Sequence, residues 1–319
     1  GALSVTSGAA ITDSGVITVG GTATFVTDVN DIDIVLDSNN AITGAVTFTT
    51  QTGGSNGADI TFDNGTTAIS LAGFTTRGNL TLKTDAAIAL TGHNVNGALA
   101  VTSGDAITQS AALTVSGTSS FTSTGSNDNI TLSTNSNAMS GNITVSTQGT
   151  SGDVTIDNGT TALGIQGTVN GALDLTAGAA ITDSGTLTVS GASDFTIDNG
   201  SNHITLGTAA LTGAIGVSTT GTSNFTLDNT TTAVNLGTVG VTGALSVTSG
   251  ETITDSGVIT VGGTSAFTTD VNNKAITLGS SNAMSGNITV TTQGTSGNVT
   301  IDNGTTALGI QGTVNGALD

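Results

Sequence analysis

The densest group of side chains that could bind an ion is a run of aspartates near the start of the chain, namely Asp28, Asp31, Asp33 and Asp37. Stacked carboxylates about 5 Å apart repel one another, and Ca²⁺, with roughly six to eight oxygen ligands, relieves that repulsion. These four residues are therefore candidate Ca²⁺ ligands. The alternative is a set of turns, since Asp and Asn before Gly commonly form turns, as in the recurring segments IDNGTT, FDNGTT and ITDSG.

A second candidate group is a regular series of threonines at the centre of strand-like segments. It comprises Thr12, Thr61, Thr81, Thr108, Thr131, Thr155, Thr182, Thr205, Thr226, Thr254, Thr277 and Thr300, with Val35 as the exception. Evenly spaced hydroxyl and methyl groups on a flat sheet could order water, which suggests ice binding. The structural alternative is favoured, because Thr is a good outward residue in strands and the column two residues further on is mixed.

Catalytic chemistry has few residues to use. His93 and His203 lie far apart in the sequence, and neither has a repeated Ser or Cys partner. A polysaccharide lyase or hydrolase would need an acid cluster beside Lys or Arg, whereas only Arg77 and Lys83 lie near each other. We therefore expect a protein that is not an enzyme, with no catalytic residues and no cofactor apart from the Ca²⁺ considered above.

The composition limits the partners. The 319 residues include 47 glycines and no proline, cysteine, tryptophan or tyrosine, and the formal charge is −19 with three Lys or Arg residues. Nucleic acid and anionic membranes are excluded as partners, because both need clustered basic side chains. No segment approaches the roughly 18 apolar residues of a membrane span. Val, Ile, Leu and Ala instead alternate with polar residues in short runs, which is the pattern of β-strands.

The chain repeats itself. Residues 137–174 return almost unchanged at 282–319, where Thr291 replaces Ser146 and Asn298 replaces Asp153. A GAL tripeptide begins at residues 1, 97, 171, 243 and 316, and it divides the chain into blocks 1–96, 97–170, 171–242 and 243–315. We therefore expect residues 1–319 to form a single continuous β-solenoid that is a window of a longer repeat array.

Strand-like runs occur in threes, and the first run of each triplet recurs at regular intervals. This spacing predicts an all-β fold, a parallel β-helix of about 13 triangular coils of about 24 residues with three short strands each. Right-handed coils are expected from the general preference of parallel connections. Glycines at the corners would supply positive φ. One wall would carry six of the eight phenylalanines, namely Phe25, Phe48, Phe74, Phe121, Phe195 and Phe267.

The stretch GALxVTSGxxITDSGxxTVxG, present with variations at 1–21, 97–117, 171–191 and 243–263, resembles the repeats of giant bacterial exoproteins of the filamentous haemagglutinin and autotransporter adhesin type. The resemblance covers the whole chain and lies in coil length, Gly/Thr/Asn corners and Val/Ile/Leu alternation. It implies an exported right-handed β-helix stalk that projects or carries binding regions. The export domain and secretion signal of those families do not occur in this sequence.

These observations favour a non-enzymatic structural or adhesive fibre, a stalk or filament that is extracellular or on the bacterial cell surface. Its partners would be neighbouring coils of the same or identical chains, and other cells, surfaces or glycans. Neither nucleic acid binding nor membrane insertion is expected. The alternative function is a solenoid with one ligand-active face, which uses either the threonine series for ice or the aspartate positions for Ca²⁺ and glycans.

Overall fold

The computed structural model describes residues 1–51, 53, 57–134 and 136–319, and this part of the chain contains strands but no helix. The chain is an all-β parallel β-solenoid of about 15 turns with about 21 residues per turn, which confirms the predicted fold class. No helix long and apolar enough to cross a membrane occurs among the described residues. The handedness and the continuation into a longer array stay predictions.

The chain divides into two compact units, Gly1–Gly159 and Thr160–Asp319. The strands of unit 1 are β1 (Leu3–Ser7), β2 (Ile11–Thr12), β3 (Thr18–Val19), β4 (Ala23–Asn30), β5 (Ile34–Leu36), β6 (Ala41–Ile42), β7 (Val46–Gln51), β8 (Ile60–Asp63), β9 (Thr75–Thr76), β10 (Leu80–Thr84), β11 (Ile88–Leu90), β12 (Asn94–Val95), β13 (Leu99–Ser103), β14 (Ile107–Gln109), β15 (Thr114–Val115), β16 (Ser119–Ser126), β17 (Ile130–Leu132), β18 (Ala138–Met139), β19 (Ile143–Gln148) and β20 (Val154–Asp157).

In unit 1 these strands form three walls. Wall 1 is the parallel sheet β2-β5-β8-β10-β13-β16-β19. Wall 2 contains β1-β4-β7 and β11-β14-β17-β20, which are connected through isolated bridges of Ile69 and Leu71. Wall 3 consists of two separate sheets of very short strands, β3-β6 and β9-β12-β15-β18.

The strands of unit 2 are β21 (Leu163–Val169), β22 (Leu173–Ala177), β23 (Ile181–Val189), β24 (Ser193–Ile197), β25 (Ile204–Leu206), β26 (Ala209–Leu211), β27 (Ala214–Ser218), β28 (Phe225–Asp228), β29 (Val234–Val241), β30 (Leu245–Ser249), β31 (Ile253–Asp255), β32 (Ile259–Val261), β33 (Ser265–Asn272), β34 (Ile276–Leu278), β35 (Ala283–Met284), β36 (Ile288–Gln293), β37 (Val299–Ile301) and β38 (Ile310–Thr313). Its wall 1 is β21-β23-β25-β28-β30-β33-β36-β38, and its wall 2 is β22-β24-β27-β29-β31-β34-β37. In its wall 3, the end of β23 pairs with β26, the end of β29 pairs with β32, and β32 pairs with β35.

Each strand buries every second residue, because successive side chains point to opposite faces of a sheet. In β13, for example, Leu99 and Val101 are buried while Ala100 lies at the surface side. In-register pairing stacks such residues on the equivalent residues of the next turn, as in Leu80–Leu99 and Leu82–Val101. The interior of each unit is therefore a continuous column of Ile, Leu, Val and Phe side chains.

The turns are shorter and more numerous than the sequence pattern predicted. The predicted series of equivalent strands passed from Leu80 to Ile107 and from Phe225 to Ile253. In the structure Leu80 pairs with Leu99 and Phe225 pairs with Leu245, whereas Ile107 and Ile253 belong to wall 2. The predicted series passed from one wall to another because all walls have the same alternating apolar pattern. Each of these two steps therefore spanned more than one turn but was counted as one.

The GAL blocks do not contain whole turns. The leucine of the tripeptide lies in wall 2 at Leu3 and in wall 1 at Leu99; in unit 2 it lies in wall 2 at Leu173 and in wall 1 at Leu245. With about 21 residues per turn, each of the three later blocks is about three and a half turns long rather than three. Equivalent residues of the two blocks in one unit therefore lie on different walls.

The extra half turn in each block also explains why the phenylalanines are distributed between two walls. The prediction of a single aromatic wall was wrong. Phe25 lies in wall 2 and Phe121 in wall 1 of unit 1, and Phe195 lies in wall 2 and Phe267 in wall 1 of unit 2. Seven phenylalanines are buried, and Phe74 is half-buried next to Phe48. The aromatic residues are thus interior fillers on both walls.

Within each unit, the wall 3 strands move from one position in the turn to another. In unit 1, β3 and β6 lie between a wall 1 strand and the following wall 2 strand, whereas β9, β12, β15 and β18 come after wall 2 and before wall 1. In unit 2, β26 has the first arrangement, and β32 and β35 have the second. The predicted three strands per coil are therefore present in only part of the turns.

At Gly97 and Gly243, the glycine of the GAL tripeptide is required by close packing of successive turns rather than by positive φ. A Cβ on Gly97 would lie 2.6 Å from the carbonyl oxygen of Gly78, and one on Gly243 would lie 2.6 Å from that of Ser223. The Gly97 N–H donates to that Gly78 oxygen at 3.1 Å. The prediction of positive φ applies instead to other corner glycines, including Gly65 and Gly159, both with φ of 54°.

Candidate functional site

Residues that immediately precede strands form ladders of hydrogen bonds between turns. The carboxylate of Asp33 accepts the N–H of Asp59 at 2.9 Å, and Asp59 accepts the N–H of Asn79 at 2.7 Å. Asn79 in turn accepts the N–H of Ala98 at 2.8 Å. These polar side chains therefore satisfy backbone donors of the next turn, which accounts for the frequent Asp and Asn at this position.

The four candidate Ca²⁺ ligands do not come together as one site. Asp28, Asp33 and Asp37 are exposed. Asp31 has φ of 58°, and its carboxylate accepts the N–H of Gly57 at 2.9 Å. Within residues 1–51, 53, 57–134 and 136–319, no three His, Cys, Asp or Glu residues form a group that could hold a metal ion. The contacts of Asp31 and Asp33 support their role in turns, and ion binding stays a prediction.

The aspartate of the ITDSG segment accepts hydrogen bonds from a corner of the following turn. Asp13 accepts hydrogen bonds from the Asn40 amide at 2.7 Å and from the backbone and hydroxyl of Ser38. Partial burial alone would raise the pKa of Asp13, but these hydrogen bonds hold it below the ordinary value. Asp255 makes the same contact with Asn282 at 2.8 Å. The carboxylate therefore has a structural role in both units.

One block replaces this aspartate by an amide. Gln109 occupies the position in the second block, and its side chain exchanges two hydrogen bonds of 2.9 Å with the buried Asn137. The Asn137 oxygen also accepts the N–H of Leu113 at 2.8 Å. Because an uncharged amide makes the equivalent contact, the negative charge is not essential to this corner.

The DNGTT segments and the related DNTTT segment hold four buried asparagines that end wall 3. The Asn64 oxygen accepts the N–H of Ile42 at 2.9 Å, and its amide donates to the Ile42 carbonyl at 3.0 Å. One asparagine side chain thus makes the two hydrogen bonds that the backbone C=O and N–H groups of a neighbouring strand would otherwise make. The same pair of bonds joins Asn158 to Met139, Asn229 to Leu211, and Asn303 to Met284. We refer to Asn64, Asn158, Asn229 and Asn303 as the asparagine caps.

The aspartate before each asparagine cap closes the turn. Asp63 accepts the N–H of Gly65 at 2.9 Å, and Asp157 accepts the N–H of Gly159 at 2.8 Å. Asp228 and Asp302 make the equivalent contact with Thr230 and Gly304. These contacts agree with the predicted turn-forming role of the DNGTT segment. The cap itself was not predicted, although recurrence of Asn at one place in four similar segments was its signal.

The predicted threonine series is not one file. All twelve threonines face outward, as none of them is buried. However, Thr81 pairs with Ala100 and Thr226 pairs with Ser246, whereas Thr108 and Thr254 lie in wall 2 next to Ala89 and Asn235. The series is therefore divided between walls, and these neighbours interrupt the column of threonines on each wall.

In the described part of the chain, the basic residues and the histidines form no catalytic group. Lys83 pairs with Asp63 at 2.7 Å, which raises the pKa of the lysine, and Lys274 pairs with Glu251 at 2.5 Å. His203 accepts the N–H of Asn224 at 3.1 Å through Nδ1. His93 is buried in unit 1 beside the ring of Phe74 and takes part in neither of these two ion pairs.

A surface depression in unit 2 is an open groove of about 390 Å³. It is lined by Ser218, Thr219, Gly240, Val241, Thr242, Thr260 and Gly262. A smaller depression of about 210 Å³ shares Ser218 and includes Asp194. Asp194 pairs in register with Asp174, whose pKa is raised by burial and by the neighbouring charge. Hydroxyls and one carboxylate suit hydrogen bonding to a neutral polar ligand.

Comparison with known proteins identifies a repeat family. The model for repeats of unknown function (DUF5649) matches residues 1–49, 77–146, 151–221 and 222–291. No curated protein matches the chain, and no solved structure does. These comparisons contain no evidence that the chain is a haemagglutinin or an adhesin. The matched segments cover most of the sequence, and the chain belongs to this family of DUF5649 repeats.

Proposed function

We propose that the chain is a structural stalk or filament with a low-specificity adhesive surface, located outside the cell or on the bacterial surface. This proposal depends on one observation, namely that the recurring polar motifs of the chain make their contacts inside the fold. The ITDSG aspartates, the DNGTT segments and the residues before strands bind the adjacent turn rather than a shared pocket. Such a chain can change its length by whole turns while each turn keeps the same contacts.

The repeat geometry supports length as the selected property. The near-identical segments 137–174 and 282–319 are offset by about seven turns of about 21 residues. A duplication of this size returns each residue to the same wall, unlike a single block of about three and a half turns. The equivalent residues Ile165 and Ile310 accordingly both belong to wall 1 strands, β21 and β38.

A length series tests the stalk. A second copy of residues 137–281 inserted after residue 281 adds whole turns, whereas a second copy of residues 171–242 adds about half a turn too many. We expect the first variant to fold and to increase the height of a terminal epitope on displaying cells. The second should disturb the wall register. A result in which epitope height is the same for all folded lengths would contradict the stalk.

Location and adhesion need separate measurements. Antibody labelling and protease treatment of intact cells should detect the chain at the surface, and labelling only after lysis would contradict that location. Beads coated with the purified chain should attach weakly to several polar surfaces and glycans, with little effect of any single outward substitution. Complete loss of attachment after one substitution would favour a specific site instead.

The groove at Ser218 and Thr242 favours the second candidate function, a ligand-active face for neutral glycans, with Asp194 in the adjoining depression. A glycan array followed by calorimetry, with and without Ca²⁺, tests this alternative. Binding that is abolished by Thr242→Val and kept in Thr226→Val would support it. The division of the threonine series between walls removes the observation on which the ice-binding version depended.

A further inference from the structure

His93 is the one histidine that the fold buries, and nothing described so far uses it. The residue is 1% exposed, and among the described residues neither Nδ1 nor Nε2 has a hydrogen-bond partner. The ring lies 4.9 Å from the ring of Phe74, measured between centroids. A buried polar ring without partners costs folding free energy, and a charge on it would cost considerably more.

The position of His93 in the turn shows what else fits there. Asn94 pairs with Thr75 on one side and with Thr114 on the other, so His93 is stacked between Phe74 and Leu113. Leu113 is fully buried at the equivalent position of the next turn. An apolar residue is therefore compatible with this place in wall 3, and the histidine is not required for packing.

The strands next to His93 are weakly held. β9, β12 and β15 have two residues each, and two backbone bonds join β12 to β9, from Asn94 to Phe74 and from Asn96 to Thr76, both 3.0 Å long. Short strands that are joined by few backbone hydrogen bonds open at lower free-energy cost than long strands do. Opening this part of wall 3 would bring the ring of His93 into water.

No described charged side chain on the neighbouring strands compensates a charge on the ring. β9, β12, β11 and β15 contain no ionisable residue. Arg77, Lys83, Asp85 and Asp105 are exposed, and the less exposed Asp63 is paired with Lys83. Burial alone lowers the pKa of His93 to about 4.

We propose that His93 makes wall 3 of unit 1, at β9, β12 and β15, an acid-labile segment that opens when the imidazole is protonated. Because the ring binds a proton more readily when open, the closed state is fully stable above the ordinary histidine pKa of about 6.5. Its stability falls as the pH decreases from about 6.5 towards the folded value near 4. Opening exposes apolar residues such as Val95 and Leu113.

Hydrogen exchange of the Asn94, Asn96 and Thr114 amides tests this proposal, with opening constants corrected for the intrinsic exchange rate. Between pH 7.5 and pH 5 the opening constant should rise about 30-fold in the natural chain, from the two pKa values. In His93→Leu it should change little. His203→Leu is the control, since it removes a histidine that is not buried, and it should keep the 30-fold rise.

Equal pH dependence in the natural chain and in His93→Leu would overturn the proposal. If that variant does not fold, the NMR titration of the His93 ring in the natural chain decides the question. A ring that remains neutral down to about pH 5 supports the acid-labile segment. A ring that titrates at the ordinary pH while the three amides stay protected contradicts it.

Discussion

Residues 163–173 and 308–318 have the same sequence, LGIQGTVNGAL, and different surroundings. In the first segment Leu163 and Leu173 are 0% and 1% exposed, because β23 and β24 pair with them. In the second segment Leu308 and Leu318 are 47% and 54% exposed, since these residues form the last turn described. The interior of a turn is therefore supplied by the adjacent turn, and identical sequence does not ensure identical stability.

The largest expected effect contrasts the two leucines directly. Leu163→Ala should destabilise unit 2 by about 2–5 kcal/mol, because it opens a cavity in a covered interior. Leu308→Ala should cost less than about 1 kcal/mol, because that side chain is already in contact with water. Urea unfolding with hydrogen exchange near each position measures both. Equal losses would mean that the last turn is covered in solution.

The asparagine caps provide a second contrast between copies. Asn158→Ala should cost about 2–4 kcal/mol, because it leaves the buried N–H and C=O of Met139 without partners. Asn303→Ala leaves the same groups of Met284 unpaired but next to the less covered last turn, so about 1–2 kcal/mol is expected. Exchange at the Met139 and Met284 amides reports the two losses. A larger loss at Asn303 would contradict this order.

The glycines of the identical segments 1–8 and 243–250 allow a third test. Gly243→Val should cost about 1–3 kcal/mol, since its Cβ would meet Ser223 and Asn224 at 2.6 Å or less. Gly1→Val should be nearly silent, because no atom of the described residues lies within 4 Å of a Cβ there. Thermal melts of both variants, with Thr226→Ser as an outward control, provide the comparison. Similar melts for all three would refute the close-packing argument.

The smallest expected effect concerns three serines. The hydroxyls of Ser119, Ser193 and Ser265 are buried without partners in the described part of the chain, whereas the first block has the buried Ala23 at the equivalent position. Ser265→Ala should stabilise unit 2 by about 1 kcal/mol, and Ala23→Ser should destabilise unit 1 by a similar amount. Differential denaturation of the two variants checks both signs. A destabilising Ser265→Ala would indicate an unseen partner of the hydroxyl.

Much of the fold could be predicted because its information is local. Alternation of apolar and polar residues identified the strands, and the repeats indicated a solenoid. Turn-forming residues such as Asp63 and Asp157 were also predictable, since Asp before Asn-Gly binds a backbone N–H two residues away. The exact period was not predictable, because walls 1 and 2 have the same pattern and nothing local distinguishes Ile107 from Leu99 as the partner of Leu80.

The roles of individual polar residues were harder to predict. Asn64 and Asn142 are both followed within two residues by a threonine, yet Asn64 is a buried cap and Asn142 is exposed. His93 likewise has no local feature that would indicate its burial. Such differences depend on which turn lies next to the residue, and that relation joins positions a whole turn apart in the sequence.

The sequence by itself determined that this chain is an acidic, all-β array of repeated turns, because alternation, glycine content and self-similarity are properties of the sequence. Only the tertiary structure decided that a block spans about three and a half turns, that wall 3 changes corners after Asn64 within unit 1, and that Leu163 is buried while Leu308 is exposed. The physical reason is that stacking adds contacts between turns. Those contacts depend on which residues of successive turns lie next to each other, and no single turn encodes that relation.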